Sequence, residues 1–227
     1  MKSYKHKTGV TLVEILVVVA IIAILVSMVI GIAARIDTQG KERLTKNTFA
    51  LLDAALSQFQ DYGYSYKHSD YAGLNFPLDC NDFDKDDLEN ALENALGLSA
   101  GSVEITGGTH EPNYSGSEAL YFFLSRVPES RKTLDKIDKS LITNKDFYGN
   151  DLKLVIDGTE YPLLRIVDPW RERGATTNIG KTLRYDYYYE DESDFKKRKE
   201  SKKTFPVITS AGPDKSFGTT DDITNRD

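Results

Sequence analysis

Residues 8–16 read Thr-Gly-Val-Thr-Leu-Val-Glu-Ile-Leu, and this stretch decides the fold of the whole chain. The leader, residues 1–9, ends within this stretch at Gly9; it is short and basic and contains no acid. After Gly9 the chain stays apolar, so that residues 10–34 form a run of 25 residues with a single charge, Glu14. A helix of that length measures about 37 Å, which exceeds the hydrocarbon core of about 30 Å. The sequence therefore predicts a transmembrane helix over 10–34, with the basic end in the cytoplasm and the rest outside.

Two ordinary interpretations of this segment are a secretory signal peptide and a plain single-pass anchor. The apolar region of a signal peptide is about 7–15 residues long and ends in a small-x-small cleavage site. This run is longer, and Gly31-Ile32-Ala33 matches such a site only weakly. Neither interpretation explains Glu14, because a carboxylate inside an apolar helix costs roughly 2.5–3.5 kcal/mol on insertion scales.

Residues 8–16 resemble the signature of type IV pilins and type II secretion pseudopilins, in which a basic leader ends in Gly. The resemblance implies that a prepilin peptidase cuts between Gly9 and Val10 and that the new α-amine of Val10 is methylated. Glu14 then becomes the fifth residue of the mature chain, as in the family. The chain departs from the family in having Val10 where Phe or Met is usual.

The position of Glu14 has a physical explanation in a bundle of such helices. Cleavage exposes an α-amine at Val10, and this amine on one subunit can pair with Glu14 of a neighbour. Each charge is costly alone in lipid, and breaking a buried pair by losing one partner typically costs about 3–5 kcal/mol. Glu14 is therefore predicted to fix the axial register of a filament.

The helical pattern continues past residue 34. Apolar residues recur at spacings of three and four across residues 35–62, with polar residues between them. They are Leu44, Leu51, Leu52, Ala55, Leu56, Phe59 and Tyr62. We expect an amphipathic continuation over 35–62, so that one helix runs from Val10 to Tyr62 and ends at Gly63.

Residues 63–227 are expected to form an extracytoplasmic globular head. The predicted helices are 85–96, 118–126 and 131–142, and the predicted strands are 152–156, 161–167, 183–189 and 205–209. The helix over 85–96 is expected to carry an apolar stripe of Leu88, Ala91, Leu92 and Ala95, and the helix over 131–142 to be amphipathic through Leu134, Ile137 and Leu141. Asp157-Gly158 is a hairpin turn signal between the first two strands. The expected fold is α+β and pilin-like, with a long N-terminal helix packed on a small C-terminal antiparallel sheet.

Two C-terminal segments resemble those of the G-type major pseudopilins of type II secretion. Asp168-Pro169-Trp170 is similar to the start of a strand-linking loop in that family, although Arg171-Glu172-Arg173 follows instead of Gly-Asn-Pro. The second segment, residues 210–223, is similar to the family's calcium loop, in which an Asp is followed seven and eight residues later by Asp-Asp.

The composition of residues 210–223 alone favours a solvated acidic turn. The spacing of Asp214, Asp221 and Asp222 matches the family's loop, and the resemblance implies a structural calcium ion held by these carboxylates with a backbone carbonyl near Ala211. Hard carboxylate and carbonyl oxygens are the ligands that calcium prefers. Pro213 and Lys215 depart from the Ala and Gly that are common in the family.

The charge pattern bears on partners. The net charge is −6, acids and bases are mixed along the chain, and no basic stripe is interleaved with aromatics, so no nucleic acid is expected as a partner. An acidic run at 190–194 and a basic run at 196–203 are interpreted as one solvated loop. Cys80 is the single cysteine, which excludes an intrachain disulfide.

The leading hypothesis is a structural subunit of a type II secretion pseudopilus rather than an enzyme. Its expected partners are the prepilin peptidase, other copies of itself, minor pseudopilins and the inner-membrane platform. It would lie in the bacterial inner membrane with a periplasmic head and assemble into a periplasmic filament. One alternative is a type IV pilin for adhesion, motility or DNA uptake, whose usual disulfide loop needs two cysteines. Another is a membrane-anchored binding or enzymatic domain, although His68 and His110 lie in no nucleophile or metal pattern.

Overall fold

The computed structural model of the chain describes residues 12–71, 73–171, 182–187 and 205–226. The chain forms two compact units, residues 1–41 and residues 42–227. Helix α1 spans Leu12–Tyr62, as predicted from Leu12 onward, while residues 10 and 11 lie outside the described residues. It ends at Gly63, whose φ of 64° is left-handed and whose N–H donates to the carbonyl of Gln60 at 3.0 Å.

The C-terminal part of α1 supplies one side of the hydrophobic core of the head. Its buried side chains recur at spacings of three and four residues, as expected for one face of a helix. The apolar ones that are at most 3% exposed are Phe49, Leu52, Ala55, Leu56 and Phe59, and Thr45 and Thr48 are equally buried. Of the seven predicted apolar positions, Leu52, Ala55, Leu56 and Phe59 are buried, Leu44 and Leu51 are half-buried, and Tyr62 is 61% exposed.

Helix α2 spans Lys85–Leu96, the predicted bounds. Its N-terminus is capped by Asp84, whose carboxylate accepts the N–H of Asp87 at 2.9 Å. Its C-terminus is closed by Gly97 in the left-handed region, with φ at 69°. The apolar stripe predicted for this helix is buried in the core.

Helix α3 spans Ser115–Arg126 and α4 spans Pro128–Leu134. The predicted helix over 118–126 begins earlier, because a 3-10 turn at Pro112–Tyr114 leads directly into α3. The predicted helix over 131–142 is wrong in its bounds. Proline suits the first position of a helix, so α4 starts at Pro128, and it ends at Leu134.

A separate turn follows α4 where the predicted helix would have continued. The carboxylate of Asp138 accepts the N–H of Ser140 at 2.9 Å and starts a 3-10 turn at Lys139–Leu141. Ile137 and Leu141 are nevertheless buried, as the amphipathic pattern indicated. The burial of these positions was predicted correctly, and the continuity of the helix was not.

The strands form three small antiparallel sheets within the described residues, rather than the single sheet that was predicted. The sheet orders are β1-β3-β4, β2-β5 and β6-β7-β8. The strands are β1 Val103–Thr106, β2 Ile142–Thr143, β3 Lys153–Ile156, β4 Thr159–Pro162, β5 Arg165–Ile166, β6 Arg184–Asp186, β7 Val207–Ser210 and β8 Ile223–Thr224. Thus the predicted strand over 161–167 divides between two sheets.

The hairpin between β3 and β4 has the predicted turn at Asp157-Gly158. Both residues have positive φ, 48° and 79°. A two-residue turn with positive φ at both central residues matches the right-handed twist of the flanking strands.

Side-chain hydrogen bonds tie the head to the second part of α1. Ser130 in α4 donates to the carbonyl of Ala55 at 2.8 Å. Asn225, directly after β8, donates to the carboxylate of Asp53 at 2.6 Å. The fold is therefore α+β and consistent with a pilin-like architecture, in which a long helix and small antiparallel sheets share one core.

Candidate functional site

The prepilin peptidase is predicted to cut between Gly9 and Val10, and both residues lie outside the described residues. Glu14 lies in the first turn of α1, on an exposed face. The predicted role of Glu14 in fixing the axial register, and its pairing with a neighbouring subunit, stay predictions.

The N-terminal part of α1 exposes its aliphatic side chains. Every large hydrophobic residue from Leu12 to Met28 is between 48% and 80% exposed. Exposed apolar surface of this extent marks an interaction site in most proteins. Within the part of the chain that the structure describes, no helix is both long enough and apolar enough to cross a membrane.

The C-terminal loop, residues 211–222, connects β7 to β8 and is fastened at its base by Asp168. One carboxylate oxygen of Asp168 accepts the hydroxyl of Ser210 at 2.9 Å, and the other accepts the N–H of Ala211 at 2.8 Å. The first oxygen also accepts the N–H of Trp170 at 2.8 Å. The two segments that the sequence singled out, 168–170 and 210–223, are thus joined by one buried carboxylate.

The three predicted metal-binding carboxylates lie on this loop and cap its backbone. Asp221 Oδ2 accepts the N–H of Asp214 at 2.8 Å, and Asp222 Oδ2 accepts the N–H of Gly218 at 2.7 Å. The hydroxyl of Thr219 is 2.7 Å from Asp221 Oδ1 and 3.5 Å from Asp222 Oδ1. The hydrogen bond from Thr219 and that from the Asp214 N–H hold the pKa of Asp221 below its usual value.

The loop folds back closely on itself at Gly212. A Cβ at this position would lie 2.0 Å from the carbonyl oxygen of Asp221, and φ is 61°. Only glycine tolerates both conditions. The chain ends of the loop therefore meet beside Ala211, the predicted carbonyl ligand, which is 1% exposed.

These oxygens fit calcium by their chemistry, since carboxylates and carbonyls are its preferred ligands. The carboxylates of Asp221 and Asp222 both lie near the hydroxyl of Thr219, and the backbone N–H of Asp214 donates to the carboxylate of Asp221. Across the described residues, no three or more His, Cys, Asp or Glu side chains are grouped in a way that could hold a metal ion. Calcium at this loop stays a prediction.

A buried ionic cluster in the head was missed by sequence reasoning. His110 Nε2 lies 3.0 Å from one carboxylate oxygen of Glu118, and Arg165 Nη1 lies 3.5 Å from the other. The guanidinium of Arg165 lies 3.7 Å above the ring of Tyr114. Burial lowers the pKa of Arg165, and the charge of Glu118 opposes that shift.

Asp146 lies beside this cluster and is 0% exposed. Its carboxylate accepts the N–H groups of Thr109, Tyr148 and Asn150 at 2.9, 2.9 and 2.7 Å, and the side chain of Asn150 at 3.0 Å. Desolvation raises the pKa of Asp146, but these four hydrogen bonds outweigh it and lower the pKa. These contacts join residues 109–118, which lead into α3, to residues 146–150 and to Arg165 of β5.

One signal in the sequence pointed to the cluster. Arg165 interrupts an otherwise apolar and β-rich run, residues 161–167, and a charge in a buried strand requires a partner. The identity of the partners could not be obtained from spacing, because Glu118 and His110 come from a different part of the chain. Arg165 is the residue from which the cluster was foreseeable.

Comparison with known proteins gives one match, at the N-terminus. The model of the family described as "Prokaryotic N-terminal methylation motif" matches residues 4–30. No curated protein and no solved structure matches the chain. The chain thus carries a prepilin-type N-terminus of the kind found in type IV pilin-like structural subunits. This motif implies processing by a prepilin peptidase and assembly with other pilin-type subunits.

Proposed function

We propose that the chain is a pseudopilin of a type II secretion system, which polymerises through its N-terminal helix into a filament that supports protein export. The observation that carries the proposal is the N-terminal methylation motif at residues 4–30, followed by a helix whose aliphatic side chains are exposed as far as Met28. Apolar side chains that the chain does not bury itself are suited to burial against other subunits.

In the proposed mechanism the peptidase cuts between Gly9 and Val10 and leaves an α-amine on Val10, which is then methylated. Before assembly, residues 10–34 anchor the subunit in the inner membrane with the head in the periplasm. In the filament the amine of one subunit pairs with Glu14 of another. The pair favours one axial register, because any other register leaves a charge without its partner in an apolar bundle.

The C-terminal half of the chain favours a pseudopilin over a type IV pilin for adhesion, motility or DNA uptake. The usual pilin disulfide loop needs two cysteines, whereas this chain has Cys80 alone. Its C-terminal loop is instead fastened by Asp168 through Ser210 and Ala211. A chromosomal deletion distinguishes the two: loss of protein secretion supports the pseudopilin, and loss of surface pili, motility or DNA uptake supports the pilin.

Substitution of Glu14 tests the assembly mechanism. We expect Glu14→Gln to abolish filaments sheared or pelleted from cells, while the processed subunit is still present in the membrane. Glu42→Gln, at an acid further along the same helix that pairs with Lys46 at 3.0 Å, is the matched control and should leave filaments at the wild-type level. Filaments in equal amount from the Glu14→Gln variant would contradict the mechanism.

We also propose that the C-terminal loop binds calcium through Asp214, Asp221 and Asp222, with the carbonyl of Ala211. A ligand at 100 times its dissociation constant stabilises the bound fold by about 2.7 kcal/mol. Added Ca²⁺ should therefore raise the unfolding midpoint of the detergent-solubilised protein, and Asp221→Asn should remove that rise. Asp157→Asn, on the β3–β4 turn, is the control. An unchanged midpoint in millimolar Ca²⁺ would reject the calcium site and leave the filament proposal intact.

A further inference from the structure

The head has an open groove of about 510 Å³ bounded by α3, α4 and the edge strand β4. Its lining combines aromatic rings with cationic side chains. Tyr121, Phe122 and Tyr161 supply the rings, and Arg126 and Arg131 supply the charges. Both arginines and Tyr161 are exposed, so the groove is open to a partner.

The groove carries an excess of positive charge. The guanidinium of Arg126 lies 4.4 Å from the centre of the Phe122 ring. Within the described residues, neither arginine forms an ion pair with an acidic side chain within 4.0 Å. Asp135, the one acid that lines the groove, is 4.0 Å from Lys139. Two arginines beside three aromatic rings are suited to an anionic and aromatic ligand.

One wall of the groove is the open edge of a sheet. In the described part of the chain, β4 pairs with β3 on one side and with no strand on the other. All four residues of β4, Thr159–Pro162, are exposed. An edge of this kind can accept an extended segment by backbone hydrogen bonding, with side-chain specificity from the adjoining pockets.

The chain itself contains a segment of the matching chemistry. Residues 188–194 read Tyr-Tyr-Glu-Asp-Glu-Ser-Asp, with two aromatic residues and four carboxylates and no base. The tyrosines match the rings of the groove and the acids match Arg126 and Arg131.

We propose that the groove of one copy binds the acidic segment, residues 188–194, of a neighbouring copy in the filament. A groove that binds the complementary segment of the next copy, without reciprocal exchange, forms a heterologous contact, and such a contact generates an open helical assembly where its rotation does not close into a ring. The inference rests on the proposed assembly function, because the N-terminal helices hold the heads at high effective concentration.

Disulfide cross-linking between two differently tagged copies tests the contact. One copy carries Ser125→Cys in the groove and the other carries Ser193→Cys, and both are full-length and expressed together. Cys80 does not interfere, because it is buried and burial raises the pKa of its thiol. We expect covalent dimers that contain both tags after mild oxidation of filaments.

Charge reversal sharpens the test. Arg126→Glu with Arg131→Glu should lower the yield of the cross-linked dimer at least tenfold, and Glu190→Lys with Asp191→Lys in the other copy should restore it. Lys132→Glu, on α4 beside Glu129, is the matched control and should leave the yield unchanged. Restoration by the double reversal is an outcome that loss of folding in the groove variant would not give.

Three results would overturn the proposal. A disulfide within one chain that carries both cysteines, without mixed dimers, would place the segment in its own groove. Filaments that form normally but give no disulfide would reject the contact and leave the filament function standing. Copies that remain unprocessed and form no filaments would instead reject the proposed function on which the contact rests.

Discussion

The two parts of α1 differ in how far their leucine side chains are exposed. Leu25, in the first unit, is 56% exposed, whereas Leu56, in the head, is 0% exposed. The head closes a core around its part of the helix, with rings such as Phe59 and Phe123 inside it. The first unit leaves its aliphatic side chains on the surface wherever they are described, from Leu12 to Met28 and at Ile36. A sequence that keeps such a surface is built for a partner outside its own chain.

The same contrast holds for acidic residues. Glu14 lies in an aliphatic helix with an exposed surface, and Glu118 is enclosed by the head beside Arg165 and His110. Glu118 has its two ionic partners, His110 and Arg165, in its own chain. The proposed partner of Glu14 is supplied by a second chain. The stability of the head and the assembly of the filament should therefore respond to different substitutions.

The largest expected effect on the head comes from breaking the buried ionic cluster. Arg165→Ala leaves Glu118 buried without its cation, and losing one partner of a buried pair typically costs about 3–5 kcal/mol of unfolding free energy. Urea unfolding of the detergent-solubilised protein, followed by tyrosine and tryptophan fluorescence, measures it. Lys153→Ala removes an exposed pair with Glu160 and should cost less than about 1 kcal/mol. Equal costs for the two variants would show that the cluster does not stabilise the head.

The matched leucines on α1 give the next largest effect. Leu56→Ala creates a cavity in the core and should lower the unfolding free energy by about 2–5 kcal/mol. Leu25→Ala should leave the unfolding of the solubilised protein unchanged and should lower the yield of filaments. If Leu25→Ala destabilised the head as much as Leu56→Ala does, the contrast between the two parts of α1 would be contradicted.

A smaller effect is expected from pH, through Asp79. Burial, and then the nearby charge of Asp186, raise the pKa of Asp79 to about 6, against hydrogen bonds from the N–H groups of Asn81 and Tyr187. Because the folded state holds this proton more tightly than the unfolded state, the head gains stability as the pH falls through 6 and loses it as the pH rises. Between pH 7 and pH 5 the gain is about 1 kcal/mol.

Unfolding midpoints of the wild type and of Asp79→Asn across this range measure that contribution. The variant should lack the gain, and Asp61→Asn, on the exposed face of α1, should keep it. The measurements are made above pH 5, because at lower pH the protonation of Asp146 and Asp221, whose pKa values are lowered by folding, reduces the stability of the head. A parallel pH profile for Asp79→Asn would contradict the assignment.

Local patterns predicted the helices and turns with strong local chemistry. Asp84 and Gly97 mark the ends of α2, and Asp157-Gly158 marks the hairpin, because each acts on its own backbone. The pattern over 131–142 predicted which residues are buried but not the break after Leu134, since burial does not require a continuous helix. The division of the strands among three sheets depends on pairing between distant segments.

The candidate site divides in the same manner. Residues 8–16 were recognisable because the leader, the apolar run and Glu14 are adjacent in sequence. The link between Asp168 and Ala211 joins residues 43 positions apart, and only the fold reveals it. The partners of Arg165 could likewise not be predicted from spacing in the sequence. Motifs made of residues adjacent in sequence could be predicted, whereas buried networks of distant residues could be identified only from the structure.

The most direct test of the account is the mass of the N-terminal peptide of the protein purified from the membranes of its own cells. The account predicts a mature chain that begins at Val10, with a methyl group on its α-amine. A chain that begins at Met1, or one that begins near Ala34, would contradict it and would indicate an ordinary membrane anchor or a secreted protein.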